Sequence, residues 1–110
     1  MNNHKSTIII ENDIEYHSLK FSSVKKDDVK KIENFIKKYK YVKIIHELNN
    51  KSEISYYKNN ALHNYFGPSI LLIKCINSIT ETYHLNGIEI SYNKWKNEYR
   101  KYKLLKLKNL

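Results

Sequence analysis

Apolar positions along the 110-residue chain recur with two different periods, and the points where the period switches divide it into segments. Thr7-Ile8-Ile9-Ile10 is a β-branched run that predicts a strand. Asn12-Asp13 predicts a turn, and Ile14 to Phe21 predicts a second, weakly alternating strand, making an N-terminal hairpin. Val29, Ile32, Phe35, Ile36 and Tyr39 then fall three and four residues apart, the spacing of one helical face, and predict an amphipathic helix over about 26–40. Ser22-Ser23 offers capping hydroxyls ahead of it. Asp27-Asp28 places negative charge in its first turn, and Lys37, Lys38 and Lys40 place positive charge in its last.

The period returns to two at Tyr41. Val42, Ile44, His46 and Leu48 fall on one side and Tyr41, Lys43, Ile45 and Glu47 on the other, with Asn49-Asn50-Lys51 as the turn and Ser52 to Lys58 as the return strand. Asn59-Asn60 and Gly67-Pro68 punctuate the chain before the apolar run Ser69 to Ile76. Asn77-Ser78 interrupts that run, Ile79 to Leu85 forms the next strand, and Asn86-Gly87 is a strong type I′ turn signal. Residues 41–90 therefore read as an up-and-down meander. Ser91 is a suitable N-cap for a terminal helix over about 91–106, in which Tyr92, Trp95, Tyr99 and Tyr102 form a stripe that Leu105 is expected to extend. The expected fold class is α+β: a small antiparallel β-meander with two amphipathic helices. The length fits one domain spanning 1–110, divided into a hairpin plus helix (1–40), the meander (41–90) and a basic terminal helix (91–110).

Composition changes this picture chiefly through charge. Twenty Lys and Arg against eleven Asp and Glu give a formal net charge of +9, and only one of the twenty cations is Arg. Residues 25–40 and 91–110 together carry +10, and everything else carries −1. Positive charge thus belongs to the helices, and the meander is close to neutral. Part of the bias has a bland source, because abundant Lys, Asn, Ile and Tyr with two Gly and one Pro is what AT-rich coding produces. The longest apolar run, Ile70 to Ile73, is far short of the ~20 residues of a membrane span. The apolar stretch after Met1-Asn2-Asn3-His4-Lys5-Ser6 is too short for a signal peptide, so neither membrane insertion nor secretion is expected. The single Cys75, in an apolar run, reads as a small buried hydrophobe and excludes an intramolecular disulfide or a cysteine-paired metal framework.

From Tyr56 to Trp95 the sequence resembles small proteins of bacteriophages and giant DNA viruses that carry a MORN-like repeat. Their unit runs K-N-G-x-L-H-R-x-x-G-P-A, then an apolar strand, an N-G turn, Y-Y-L-N-G and a closing I-S-Y-x-x-W. Lys58, Asn59, Leu62, His63, Gly67, Pro68, Ile70 to Ile73, Tyr83, Leu85, Asn86, Gly87, Ile90, Ser91, Tyr92 and Trp95 match it. The sequence departs from the unit at Asn60, in place of a turn Gly, and at Asn64, in place of Arg. It departs also at Tyr65-Phe66, where acidic residues are common, at Ser69, in place of Ala, and at Asn77-Ser78, in place of N-G. Asn tolerates the left-handed backbone nearly as well as Gly, so the turn plan is kept. The resemblance implies a single degenerate unit, a β-meander and a viral or phage source, hence a location in the host cytoplasm or the virion, and it implies no activity. Leu62, His63, Gly67, Pro68, Asn86 and Gly87 are its structural motif residues.

Candidate chemistry is sparse. His4, His17, His46, His63 and His84 form no recognised catalytic or metal-binding pattern, and there is no Gly-rich phosphate loop or nucleophile elbow. His63 is expected to order the turn before Gly67-Pro68 through a side-chain hydrogen bond. Glu11, Asp13 and Glu15 read as a solvated edge. No enzyme activity and no cofactor are expected. Two function classes stay open. One is a protein-interaction role, as an accessory or virion protein, for which the basic faces favour an acidic host or viral partner. The other is nucleic-acid binding through Lys94, Lys96, Arg100, Lys101 and Lys103 beside the terminal-helix aromatics, with the single Arg arguing against base-specific readout.

Overall fold

The computed structural model describes residues 5–22, 26–48, 50–74 and 78–108. Its elements in chain order are β1 (Lys5–Glu11), β2 (Ile14–Phe21), α1 (Lys26–Lys38), β3 (Tyr41–Leu48), β4 (Lys51–Lys58), β5 (Ala61–Leu62), β6 (Ile70–Lys74), β7 (Ser78–Leu85), β8 (Ile88–Ile90) and α2 (Tyr92–Lys108). The fold is α+β, as the periods predict. All eight strands join one sheet in the order β1-β2-β3-β4-β6-β7-β8, with the two-residue β5 lying beside the end of β4.

Three tight turns close hairpins on paired left-handed residues: Asn12 and Asp13 (φ 53° and 65°), Asn59 and Asn60 (51° and 66°), and Asn86 and Gly87 (52° and 83°). Two successive positive φ values define the type I′ turn, whose twist matches that of the strands it joins. Asn60 thus takes up the left-handed backbone without glycine. The predicted cap residue Ser23, the turn residues Asn49 and Asn77, and Cys75 and His4 lie outside the described residues.

One pairing differs from an all-antiparallel meander. β2 and β3 run parallel, with His17, Leu19 and Phe21 level with Val42, Ile44 and His46, and α1 makes the crossover between them. A parallel neighbour requires a long connection, usually a helix. The N-terminal hairpin is thereby built into the same sheet as the meander.

The core lies between α1 and one sheet face. Leu19, Phe21, Val42 and Ile44 form a buried cluster with Ile36, and Ile32, Phe35, Tyr39 and Tyr57 pack around it. His17 stacks on Tyr39 at 3.7 Å between ring centres, and Phe21 stacks on His46 at 4.8 Å. Val29, predicted to share the helix stripe, is 49% exposed. It lies in the first turn, and the apolar contact of α1 with the sheet begins one turn later, at Ile32.

The opposite face is aromatic and polar. Tyr16 is buried edge-on against Tyr41 and Tyr56, and Glu11 accepts hydrogen bonds from Lys43 Nζ at 2.5 Å and from Tyr56 Oη at 2.9 Å, tying β1, β3 and β4 together. Burial pushes the Tyr16 and Tyr56 hydroxyls up. For Lys43, burial alone would lower the pKa, but the hydrogen bonds to Glu11 and Tyr56 outweigh it and hold the ammonium above its ordinary value. Register places Tyr83 on this face too, where α2 packs through Trp95 at 4.9 Å between ring centres. The two helices therefore cover opposite faces of the sheet.

Candidate functional site

The six motif residues and their neighbours meet in one knot at the end of the sheet. The Gly87 N–H donates to Leu62 O at 2.8 Å, and the Asn64 N–H donates to His84 O at 3.2 Å, so residues 62–64 run along the β7–β8 hairpin. His63 Nδ1 accepts from the Asn86 N–H at 2.9 Å. His63 thus orders the Asn86-Gly87 turn, 23 residues away in the chain, and not the turn before Gly67-Pro68. That second task falls to Asn64, whose Nδ2 donates to Pro68 O and whose Oδ1 accepts from the Phe66 N–H, both at 3.0 Å. Desolvation pushes the His63 imidazole down to about 4, with the Lys58 ammonium adding to the shift, so the ring is neutral at physiological pH. At Gly87, φ is +83° and a Cβ would lie 3.3 Å from that of Ala61, so backbone conformation and space both select glycine.

Asn64 also anchors α2, because its carbonyl accepts from Trp95 Nε1 at 3.1 Å. Beside it Tyr65 stacks on Tyr102 at 4.8 Å and 15°, and Phe66 meets Tyr99 and Tyr102 edge-on. The residues that dock the terminal helix are thus Asn64, Tyr65 and Phe66, together with Tyr83 of β7 against Tyr92 and Trp95. The signal that could have found them is composition: two adjacent aromatics in a loop need a partner, and the Trp95, Tyr99, Tyr102 stripe is the nearest unsatisfied one.

Ser69 and His84 present a pair with the outward form of a nucleophile and base. Ser69 Oγ lies 2.6 Å from His84 Nδ1 and 3.0 Å from Thr82 O, and the Ser69 side chain is fully buried. The hydroxyl has one proton. It goes either to Thr82 O, with His84 then donating from Nδ1, or to His84 Nδ1 itself. The geometry suits a polar link between β6 and β7. Among the described residues, no group of three or more His, Cys, Asp or Glu side chains is placed to hold a metal ion, and no helix is long and apolar enough to cross a membrane.

α2 begins as predicted, with Ser91 Oγ accepting from the Lys94 N–H at 3.2 Å and Ser91 O accepting from the Trp95 N–H at 2.9 Å. Its inward stripe is Trp95, Tyr99 and Tyr102 and ends there. Leu105 does not extend it: it follows a second successive three-residue step, which leaves it about 120° back from Tyr99, and Leu105 is 61% exposed. Lys106 follows the stripe instead and lies over the Tyr102 ring at 5.5 Å, as Lys103 lies over Tyr99 at 4.8 Å.

The five basic residues singled out in α2 are all exposed. At about 100° per residue they divide between two flanks of the aromatic stripe, Lys94 and Lys101 on one and Lys96, Arg100 and Lys103 on the other. Lys101 pairs with Glu98 at 3.3 Å. The stacking surface of Trp95 faces the sheet, away from these cations. Beyond Tyr102 the helix presents Leu104, Leu105 and Leu107 at 60%, 61% and 65% exposure, interspersed with Lys103 and Lys106. No family model, no curated protein and no solved structure matches the chain.

Proposed function

We propose that this chain is a non-enzymatic protein-interaction module of the viral accessory or virion kind, which binds an acidic host or viral protein through the free end of α2. One observation carries the reading: α2 continues past Tyr102, its last aromatic contact with the body, and there exposes Leu104, Leu105 and Leu107 among lysines. Exposed leucines clustered beyond the packed part of a helix cost solubility unless something covers them, and flanking lysines favour a partner with an acidic rim. The inward orientation of Trp95, Tyr99 and Tyr102 leaves Tyr92, 52% exposed, as the ring of α2 that lies open beside the cations, and a single ring is a weak platform for single-strand nucleic-acid binding.

The test compares the wild-type protein with a Leu104→Ser/Leu105→Ser/Leu107→Ser variant. Proteins captured from host cells are identified and then rebound in purified form, and duplex and single-stranded nucleic acid are titrated in parallel across a salt series. The reading expects a purified acidic partner whose binding is lost in the triple variant and weakens only modestly with salt. Nucleic-acid binding that the leucine changes leave intact, and that falls steeply with salt, would overturn it in favour of phosphate recognition by Lys94, Lys96, Arg100, Lys101 and Lys103.

A further inference from the structure

β1 lies at one end of the sheet and pairs only with β2 among the described strands. Its hairpin closes with a two-residue type I′ turn on Asn12 and Asp13, so Glu11 and Ile14 are the hydrogen-bonded pair next to the turn. Hydrogen-bonded and non-bonded pairs alternate from there. Glu11, Ile9, Thr7 and Lys5 therefore direct their main-chain groups to β2, whereas Ser6, Ile8 and Ile10 direct theirs outward from the sheet edge. Ile8 and Ile10 are also 59% and 73% exposed. Natural edge strands are usually protected by a proline, a bulge or an outward lysine in the middle. The central residues of β1, Ser6 to Ile10, have none of these.

The sequence of β1 is complementary to itself when reversed. In an antiparallel pair centred on Ile8, Ile8 faces Ile8 of a second copy, Ser6 faces Ile10, Thr7 faces Ile9, and the lysine at position 5 faces Glu11. This register places all three outward-directed residues in hydrogen-bonded pairs, giving about six main-chain bonds. Registers shifted by one residue oppose outward groups to inward ones, and registers shifted by two lose a pair and the charge match. On one face Ile8 and Ile10 of each copy form a continuous apolar stripe through direct and diagonal contacts. On the other, Thr7 of each copy lies opposite Ile9 of its partner.

We propose that β1 is a self-association edge, through which two copies of this chain join about a two-fold axis at Ile8 into one continuous sheet. The second free edge supports a closed dimer over a filament. It consists of β8, whose three residues Ile88–Ile90 are too few for six main-chain bonds, and of the Ser78–Thr82 part of β7 that β8 leaves unpaired, where Glu81 and three hydroxyl residues offer Ile8 and Ile10 a single apolar partner, Ile79.

Sedimentation equilibrium over a wide concentration range tests the proposal, with Ile8→Pro and Ile8→Lys as variants. The Ile8 N–H does not bond β2, so proline there spares the hairpin while removing both central bonds of the pairing. Unfolding midpoints of the variants report that the monomer is intact. The wild type should be a dimer, and each variant should raise the dissociation constant at least about tenfold. In a Cys75→Ser background, Ile8→Cys should oxidise to a covalent dimer, since hydrogen-bonded antiparallel partners sit about 5.5 Å apart at Cα, whereas Ile79→Cys should not. A wild type that stays monomeric into the hundreds of micromolar range, a dimer indifferent to both Ile8 variants, or crosslinks between positions 8 and 79 would overturn it. Leu104, Leu105 and Leu107 play no part in this contact, so failure here is distinct from failure of the partner-binding reading.

Discussion

Neutral imidazole is a structural requirement at His63, because Nδ1 can accept from the Asn86 N–H only while it carries no proton. Burial, with Lys58 behind it, sets its folded pKa at about 4, against the ordinary value of about 6.5 in an unfolded chain. Between those values the unfolded chain holds a proton that the folded chain does not, so stability falls as the pH is lowered through that window. The contribution is complete above about pH 6.5 and is lost toward pH 4, on the order of 2–3 kcal/mol. His63→Gln keeps an acceptor but removes the titration. It should cost about 1 kcal/mol at pH 7.5, and urea midpoints taken from pH 7.5 to 4 should then show a flatter decline than the wild type. Equal slopes in the two proteins would show that His63 does not couple folding to pH. The partner of this side chain was not legible in the sequence. A histidine beside a leucine gives no sign that its acceptor nitrogen serves a turn that arrives two strands later.

At the scale of elements, the strength of the α1–sheet core can be separated from the helical pattern that suggested it. Ile44, in the middle of the cluster and 6% exposed, should cost 2–5 kcal/mol as Ile44→Ala through lost transfer energy and a residual cavity. Val29→Ala, in the same nominal stripe, should change stability by no more than about 0.5 kcal/mol because the native side chain is half exposed. Thermal unfolding of the two variants checks both magnitudes. Element identity was well marked in the chain: Asn12-Asp13, Asn59-Asn60 and Asn86-Gly87 marked three hairpin turns, and the switch from period two to 3.6 located both helices. Pairing was less so. The period of β2 and β3 is the same whether they run parallel or antiparallel, and only the intervening helix, long enough for a crossover, hints at the parallel choice. β5, at two residues, is too short to produce a period at all. In α2 the three-residue step to Leu105 looked like a continued stripe, but the last aromatic contact came at Tyr102, and a lysine occupies the inward position one turn on.

For the molecule as a whole, the arrangement places its positive charge on two helices covering opposite sheet faces and leaves the sheet between them near neutral, so the sheet edges and the end of α2 are separate surfaces. Their independence can be tested by removing one at a time. Trp95 is 8% exposed, its Nε1–H donates to Asn64 O, and its ring lies between Tyr83 and Tyr99. Trp95→Ala should therefore cost 3–5 kcal/mol, orphan the Asn64 carbonyl and abolish the aromatic near-ultraviolet circular dichroism arising from Tyr65, Phe66, Tyr99 and Tyr102. A chain ending at Lys103 loses Leu104, Leu105 and Leu107 together with Lys106 above Tyr102, a cation–π contact worth about 0.5 kcal/mol at an exposed site. Its unfolding free energy and its aromatic dichroism should stay close to those of the full chain. If the end of α2 is a binding surface and β1 an association edge, the shortened protein keeps the dimer and loses the partner, whereas Ile8→Pro keeps the partner and loses the dimer. A shortened chain that unfolds as readily as Trp95→Ala would assign Leu104, Leu105 and Leu107 to folding and remove the reason to seek a partner there.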